Sequence, residues 1–449
     1  MYYLSVSVFG LRSCFAEIFE IIFKSMGLLI KSARIIDPNS PYNRKEVDIL
    51  VEDGVIQSIA KNIDRKGIPV FEAKNMHVSP GWFDMQVNLN DPGFEYKEDL
   101  NTGTKAAAFG GFTAIACLPH TNPPIHTKSE VEYIINKAKS LKKNGVDVYP
   151  IGALSYNLQG RDMAELYDMY QSGAVAFTDG KKTDSNAGLL LRGSLYAKNF
   201  NSVVLTFCDE KSISQGGEIN ESPTSTMLGL KGIPSLAEEI MIARNIYIAE
   251  YTEGRIHIAS VSTAKSVDLI RKAKSRKLNI TASVNAYNLV LEDTLLKGFE
   301  TNYKVNPPLR SKTDIEALKK GLTDGTIDCI SSDHSPQDVE NKIVEFNHAA
   351  AGMIGLETTY ALLNSNLGKT LSLEALIEKI AINPRKLFNL EVPAIQEGKK
   401  ANLTFFDPGL EWTFEEKHIR SKSKNTPLIG TSFKGKALGI YNKKVLVIN

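Results

Sequence analysis

Cysteine pairs, long hydrophobic runs and an excess of charge of either sign are all missing from this 449-residue chain. Its four cysteines, Cys14, Cys117, Cys208 and Cys329, form no C-x-x-C pair. That excludes a disulfide-stapled secreted scaffold and suits a reducing cytosol, giving a cytoplasmic expectation. Lys and Arg total 53 against 51 Asp and Glu, a net charge of +2. A balance so close to neutral leaves no polybasic footprint for nucleic acid and no acidic tail. No apolar run reaches the roughly 18 uninterrupted residues of a membrane span. Internal repeats and low-complexity tracts are absent too. What is present is an ordinary globular composition, 43% hydrophobic and 23% charged, which rules out global disorder.

Residues 1–25 stand apart. They are rich in aromatic and apolar side chains, but Arg12, Glu17, Glu20 and Lys24 interrupt them. The order of a signal peptide, basic residues then an unbroken apolar core then a small-residue cleavage site, is not followed. The segment reads as an extension or a mis-called start, because Met26 directly precedes a clean strand pattern, GLLIKSARIID. An amphipathic docking helix is the other reading.

From Met26 onward the organisation is legible. LLIKSARIID, KEVDILVEDGVIQSIA and MHVSPGWFDMQVNL are short β-rich runs broken by Gly, Asp, Asn and Pro, and they predict a small antiparallel sheet over residues 27–77. From about 78 to 390, apolar strands alternate with helical stretches, as in FTAIACL before SEVEYIINKAKSLKKNG and RIHIASV before STAKSVDLIRKAKSRK. Repeated βα units of this length predict a parallel sheet covered by helices, and seven or eight of them favour a closed barrel. The tail from 391 returns to β character, so residues 26–77 and 391–449 are expected to form one composite β domain beside the 78–390 barrel.

The blocks VSPGWFDMQVNLNDPG, AAAFGGFTAIACLPHTNPP, GAVAFTDG, GLKGIPSLAEE, VNPPLR, SSDHSP, GMIGLET, INPRKLF and NTPLIG occur in the order seen in dihydroorotases. Over about residues 28–449 the chain resembles the type related to the dihydroorotase domain of multifunctional pyrimidine enzymes, within the amidohydrolase superfamily. The resemblance implies an α/β fold, a (β/α)8 TIM barrel with a small β-sandwich built from both termini. It also implies a hydrolase of cyclic amides. In that chemistry, one or two zinc ions lower the pKa of bound water and polarise the scissile carbonyl, while a carboxylate moves the proton to the leaving nitrogen.

The residues depart from the family's site. Gln86 and Asn88 stand where the first strand carries His-x-His; Phe207 and Ser260 stand at the next two histidine positions. An amide oxygen is a poor zinc ligand beside imidazole, and phenylalanine offers no lone pair. Period two along a strand places His257, three residues before Ser260, on the opposite face. Two acidic positions match: Asp179 as a weak metal ligand, and Asp333 as metal ligand and general acid/base, idle if no metal is held. At the substrate positions, Asn90 replaces an Arg, His120 an Asn, and Gln337 a His; Tyr287 and Asn288 stand where a histidine pair ends the preceding strand. Asn306, Ala351 and Gly352 are the retained substrate-binding positions.

Scaffold blocks kept without their imidazoles predict a fold kept without its reaction. The expectation is a non-catalytic dihydroorotase homologue of pyrimidine biosynthesis, with zinc absent or weakly bound. As the resemblance implies, such a pseudoenzyme serves as a structural or regulatory partner of aspartate carbamoyltransferase and forms a homodimer, with no nucleic-acid or membrane partner. Two alternatives stay open: a working dihydroorotase with an atypical metal site, and a small-molecule binding protein using the emptied barrel mouth.

Overall fold

A computed structural model describes residues 27–182 and 186–449. The reading of residues 1–25 therefore lies outside the described residues.

One sheet is assembled from both flanks of the barrel. Its strands run in the order Val445–Ile448, Ser432–Asn442, Leu403–Thr413, His77–Pro80, Gly27–Ile35, Glu46–Glu52 and Val55–Ala60, with Val70–Phe71 also paired to Gly27–Ile35. The two flanks are joined where Leu403 to Phe406 pair antiparallel with Pro80 to His77. Ile30, Ile49, Val78, Phe405 and Leu446 pack into a core of this sheet's own. The sheet is mixed, not antiparallel: Gly27–Ile35 runs parallel to both Val70–Phe71 and His77–Pro80. The chain from Ile36 to Met76 is long enough to carry the later strand back and lay it down in the same direction.

The run MHVSPGWFDMQVNL divides between the two sheets at Gly81. His77–Pro80 belongs to the composite sheet and Trp82–Val87 is the first barrel strand, so the change-over falls at Gly81 rather than at 78. A β-carbon on Gly81 would collide with the side chains of Asn402 and Thr113, and only glycine lets the chain cross there.

Eight short strands form the barrel: Trp82–Val87, Phe112–Cys117, Asp147–Pro150, Ala176–Phe177, Val203–Phe207, Arg255–Ala259, Ile280–Asn285 and Cys329–Ser331. Successive strands pair parallel, with the third and fourth joined at Gly152 and Phe177. A bridge from Val87 to His334 closes the ring. Phe83, Met85, Ala114, Ala116, Ile151, Leu205 and Cys329 fill the inside, while the other strand faces bury Ile115, Val204, Ile258 and Ala282 under the helices. This double burial explains the nearly continuous apolar strands. The helices begin at sequence-encoded caps, such as Thr127 with Glu130 for Lys128–Ser140 and Ser311 for Lys312–Thr323.

Asp84 reinforces the closure. Fully buried, it accepts hydrogen bonds from the Gln86 backbone N–H at 3.0 Å and from the Ser332 N–H at 2.9 Å, tying the first strand to the last. Burial pushes its carboxyl up to about 6. Asp84→Asn would point an amide NH2 at one of these donors. We expect a loss of about 2 kcal/mol and, for a chain of 449 residues, a melting temperature lowered by roughly 2 °C. Calorimetry showing a change under one degree would remove Asp84 from this role.

Among the described residues, no helix is long and apolar enough to cross a membrane.

Candidate active site

Catalytic groups of such barrels stand at the C-terminal ends of the strands. Here that mouth is organised around Asp333, which follows the eighth strand and is 2% exposed. Its backbone takes the left-handed conformation (φ 52°), tolerated best by Asp, Asn and Gly. Every group around its carboxylate donates. Gln86 Nε2 donates to Oδ1 at 2.8 Å; the Tyr287 hydroxyl and Asn285 Nδ2 donate to Oδ2 at 2.6 and 3.3 Å. The fourth donor is the Lys181 ammonium, 2.6 Å from Oδ2. That ammonium also lies over the Phe207 ring, 5.7 Å from its centre. Burial, and then the Asp333 charge, push the Tyr287 hydroxyl well above its ordinary range, so it stays protonated and donating.

Gln86, Ser260 and Asp333 are thus brought together. The Gln86 amide also donates to Ser260 Oγ at 2.9 Å, and Ser260 Oγ donates to Asn285 Oδ1 at 3.0 Å. Asn88 turns toward the following loop instead, its Nδ2 donating to Ser335 Oγ at 2.9 Å and to the His334 carbonyl at 3.3 Å. Asp179 uses Oδ1 to accept from the Ser155 N–H at 2.9 Å. Asp179 and Asp333, the two carboxylates expected as weak metal ligands, here accept from backbone and side-chain donors. Among the described residues, no group of three or more His, Cys, Asp or Glu could hold a metal ion.

Strict alternation also fails at His257. It pairs in register with Leu205, a residue of the barrel interior, and so faces inward. Ser260 reaches the same interior because its own backbone is left-handed (φ 57°), which resets the two-residue period at the strand end. His257 is completely buried, with Nδ1 2.9 Å from Thr281 Oγ1 and Nε2 2.9 Å from Ser283 Oγ. Burial lowers its pKa to about 3.

The positions that the resemblance led one to expect at the substrate are largely engaged in the protein's own contacts. The Ala351 carbonyl accepts from Gln337 Nε2 at 3.2 Å. The Gly352 carbonyl accepts from Lys342 Nζ at 3.1 Å and Asn425 Nδ2 at 3.0 Å, while its N–H donates to the Lys304 carbonyl at 2.9 Å. Asn306 is half-buried in the loop after the seventh strand. Asn90 is buried with Nδ2 unpaired among the described residues. The His120 ring lies 3.1 Å from the Asp179 carbonyl, its pKa lowered to about 4 by burial. A cavity lined by Gln86, Leu118, Lys181 and Phe207 measures about 10 Å³, at the lower limit for one water.

Sequence reasoning missed Lys181. The available signal was a Lys-Lys pair two residues after Asp179, where the family block turns into the mouth. Tyr287 was noticed only as a missing histidine, although a phenol is an equally good partner for a carboxylate.

Two family models match the chain: the dihydro-orotase-like family over residues 76–266, and the amidohydrolase family over residues 217–438. A dihydroorotase of Acetivibrio thermocellus is 44% identical over 410 residues, covering 91% of this chain and 96% of that one. A dihydroorotase of Ruminiclostridium cellulolyticum is 43% identical, covering 90% and 94%. Among solved structures, an L-hydantoinase (dihydropyrimidinase) from Arthrobacter aurescens superposes with a TM-score of 0.83 at 24% identity, covering 94% of this chain and 96% of that one. A dihydropyrimidinase from Brevibacillus agri gives 0.76 at 20% identity, covering 94% and 95%. At such identities these likenesses bear on the fold alone.

Proposed function

This chain belongs to the dihydroorotase family of cyclic amidohydrolases, and on that premise we propose that it has kept the family's barrel and given up its hydrolysis. The observation that carries this reading is the Lys181 ammonium on Asp333. A cation belonging to the chain occupies the carboxylate that the family resemblance assigns to metal and proton transfer. The neighbouring groups, an amide, a hydroxyl, a phenol and a phenyl ring, are not zinc's preferred thiolate, imidazole and carboxylate donors. These residues do not fit the metal. A barrel without its reaction acts through assembly, and the partner that the resemblance implies is aspartate carbamoyltransferase.

One observation favours a second reading. Identity of 44% over 91% of the chain to a protein named dihydroorotase is high, and in a working enzyme Asp333 would return the proton to the leaving nitrogen. Lys181 would then have to leave Asp333.

Zinc analysis of protein purified without chelator, joined to a dihydroorotate assay, separates the two. We expect less than about one equivalent of zinc, because zinc sites take three or four such donors. Turnover should equal the buffer rate and be unchanged in Asp333→Ala. Hydrolysis by the unmodified protein that this substitution abolishes would establish the second reading. Co-elution with aspartate carbamoyltransferase tests the assembly separately.

A further inference from the structure

Residues 415–444 are rich in cations, and most of the exposed ones have a carboxylate. Lys417 pairs with Glu415, Lys422 with Asp99, Lys424 with Glu416, Lys443 with Asp147 and Lys444 with Asp53. The two half-buried cations, Arg420 and Lys436, have no ion pair among the described residues. Solvation favours the reverse, since a charge withdrawn from water needs a counter-ion most.

Both cations meet on one ring. Arg420 Cζ lies 4.9 Å and Lys436 Nζ 5.8 Å from the centre of Phe109, and Lys436 Nζ lies 5.1 Å from that of Trp412. The His418 ring stacks on Phe109 at 6.1 Å, and its Nδ1 accepts from the Glu415 N–H at 3.0 Å, as a neutral imidazole does. Burial, then the charges of Arg420 and Lys417, lower the pKa of the Lys436 ammonium, and no carboxylate acts in the other direction. Asp407, across the strand pair from Lys436, accepts instead from the Gly409 N–H at 2.8 Å. A helix C-terminus favours a cation, and Phe109 ends the helix Leu100–Phe109. Its carbonyl, however, already accepts from Asn449 Nδ2 at 2.7 Å. Arg420 gives Nη1 to the Lys417 carbonyl at 2.6 Å, while its Nε and Nη2 donate to no described residue. Stacking on aromatic faces offsets only part of such a gathering of like charge.

We propose that Arg420 and Lys436, with Lys417 beside them, form a binding site for the phosphate group of a small solute. The free edge of the guanidinium matches two oxygens of a tetrahedral anion, and the ammonium adds a point charge. Three cations against the one carboxylate of Glu415 call for an anion carrying at least two charges. The surrounding lysines are already paired and the chain's net charge is +2, so no extended basic face continues from the site toward a nucleic acid or an anionic membrane. Trp412 beside Lys436 offers a surface on which a base could stack if the phosphate belongs to a nucleotide. Phe109 stands three residues before the second barrel strand, at the end of the barrel opposite the mouth. The site is therefore independent of whether Asp333 is catalytic.

Calorimetric titration of the full chain with inorganic pyrophosphate, and separately with ATP, is the test. Tryptophan fluorescence follows it in parallel, because Trp412 lies at the site and the only other tryptophan, Trp82, is fully buried. One saturable site is expected, weakening as sodium chloride screens it. Lys436→Met and Arg420→Met should each weaken binding by about tenfold or more, the loss of one charge-assisted contact. Lys436→Arg should retain it. Lys444→Met, whose ammonium pairs with Asp53, should leave it unchanged. Arg420→Met keeps the test decisive if Lys436→Met misfolds. Pyrophosphate binding at least as tightly as ATP assigns the phosphate alone; tighter ATP assigns a nucleotide with its base on Trp412. No saturable binding of either at millimolar concentration would overturn the proposal, as would binding untouched by both methionine variants. So would a melting temperature lowered several degrees by Lys436→Met while pyrophosphate leaves that of the native protein unmoved, because the ammonium would then serve packing on Phe109 and Trp412.

Discussion

Lys181→Met should lower the stability of this protein by about 3 kcal/mol and, for a chain of 449 residues, its melting temperature by roughly 3 °C. The reason lies in what remains. Asp333 keeps the Gln86, Asn285 and Tyr287 donors but loses the one positive charge at 2.6 Å, in a site where it is 2% exposed. A carboxylate stripped of its partner in such a place costs far more than the exposed ion pairs on this surface, worth about 0–1 kcal/mol each. Lys181 itself is 24% exposed in its side chain, which places the effect at the lower end of the range for buried pairs. Lys181→Met/Asp333→Leu should recover much of the loss, since an apolar replacement of a buried pair is often close to neutral. Thermal melts of the two single variants and the double variant make the cycle. A loss under 1 kcal/mol for Lys181→Met would mean that the ammonium is an ordinary surface charge and that the mouth does not depend on it.

The second large effect is on pH dependence, at His257. Burial, helped by the Lys274 charge, lowers its pKa from 6.5 to about 3. In the unfolded chain the imidazole takes up a proton below about 6.5, whereas in the folded chain it stays neutral until about 3. Between these values the unfolded state binds more protons, so stability rises with pH there. The contribution is whole above 6.5 and is lost as pH falls; by pH 5 the loss is about 2 kcal/mol and by pH 3 about 4–5 kcal/mol. The two flanking hydroxyls of Thr281 and Ser283 can donate to one ring nitrogen and accept from the other, which suits the neutral form. His257→Gln removes the titration. The stability difference between native protein and variant should therefore shrink by about 2 kcal/mol from pH 7 to pH 5 in urea melts. Asp84, whose raised carboxyl works in the opposite sense, is present in both proteins and cancels. A difference that stays constant across that range would show that His257 does not carry the acid sensitivity.

The sequence made different parts of the site legible to different degrees. Asp333 was found because a short block, SSDHSP, brackets it, and Gln86 because the strand before it is unmistakable. Lys181 was not found, since it stands on a short turn, Gly180–Lys182, with no periodic pattern to give its direction. His257 was assigned to the wrong face. Alternation is a rule of extended backbone, and the left-handed residue at Ser260 breaks it where the strand ends. The composite sheet was anticipated from its two flanks but expected to be antiparallel, because hairpin-like spacing between its first strands is local and the parallel return of His77–Pro80 is not.

By itself, then, the sequence determined the α/β class, the β-rich flanks and the family. Each of these is written in residue type and local period: apolar strands, capped amphipathic helices, and short blocks such as SSDHSP in family order. Only the tertiary structure decided which groups meet around Asp333. Lys181 and Asp333 are 152 residues apart in the chain and Gln86 and Asp333 are 247 apart; closing eight strands into a ring brings all three to one mouth. No local pattern encodes such a meeting. It follows from barrel closure, which places the strand ends side by side, and from the energy of a buried carboxylate, which demands a positive charge and takes it from the chain itself.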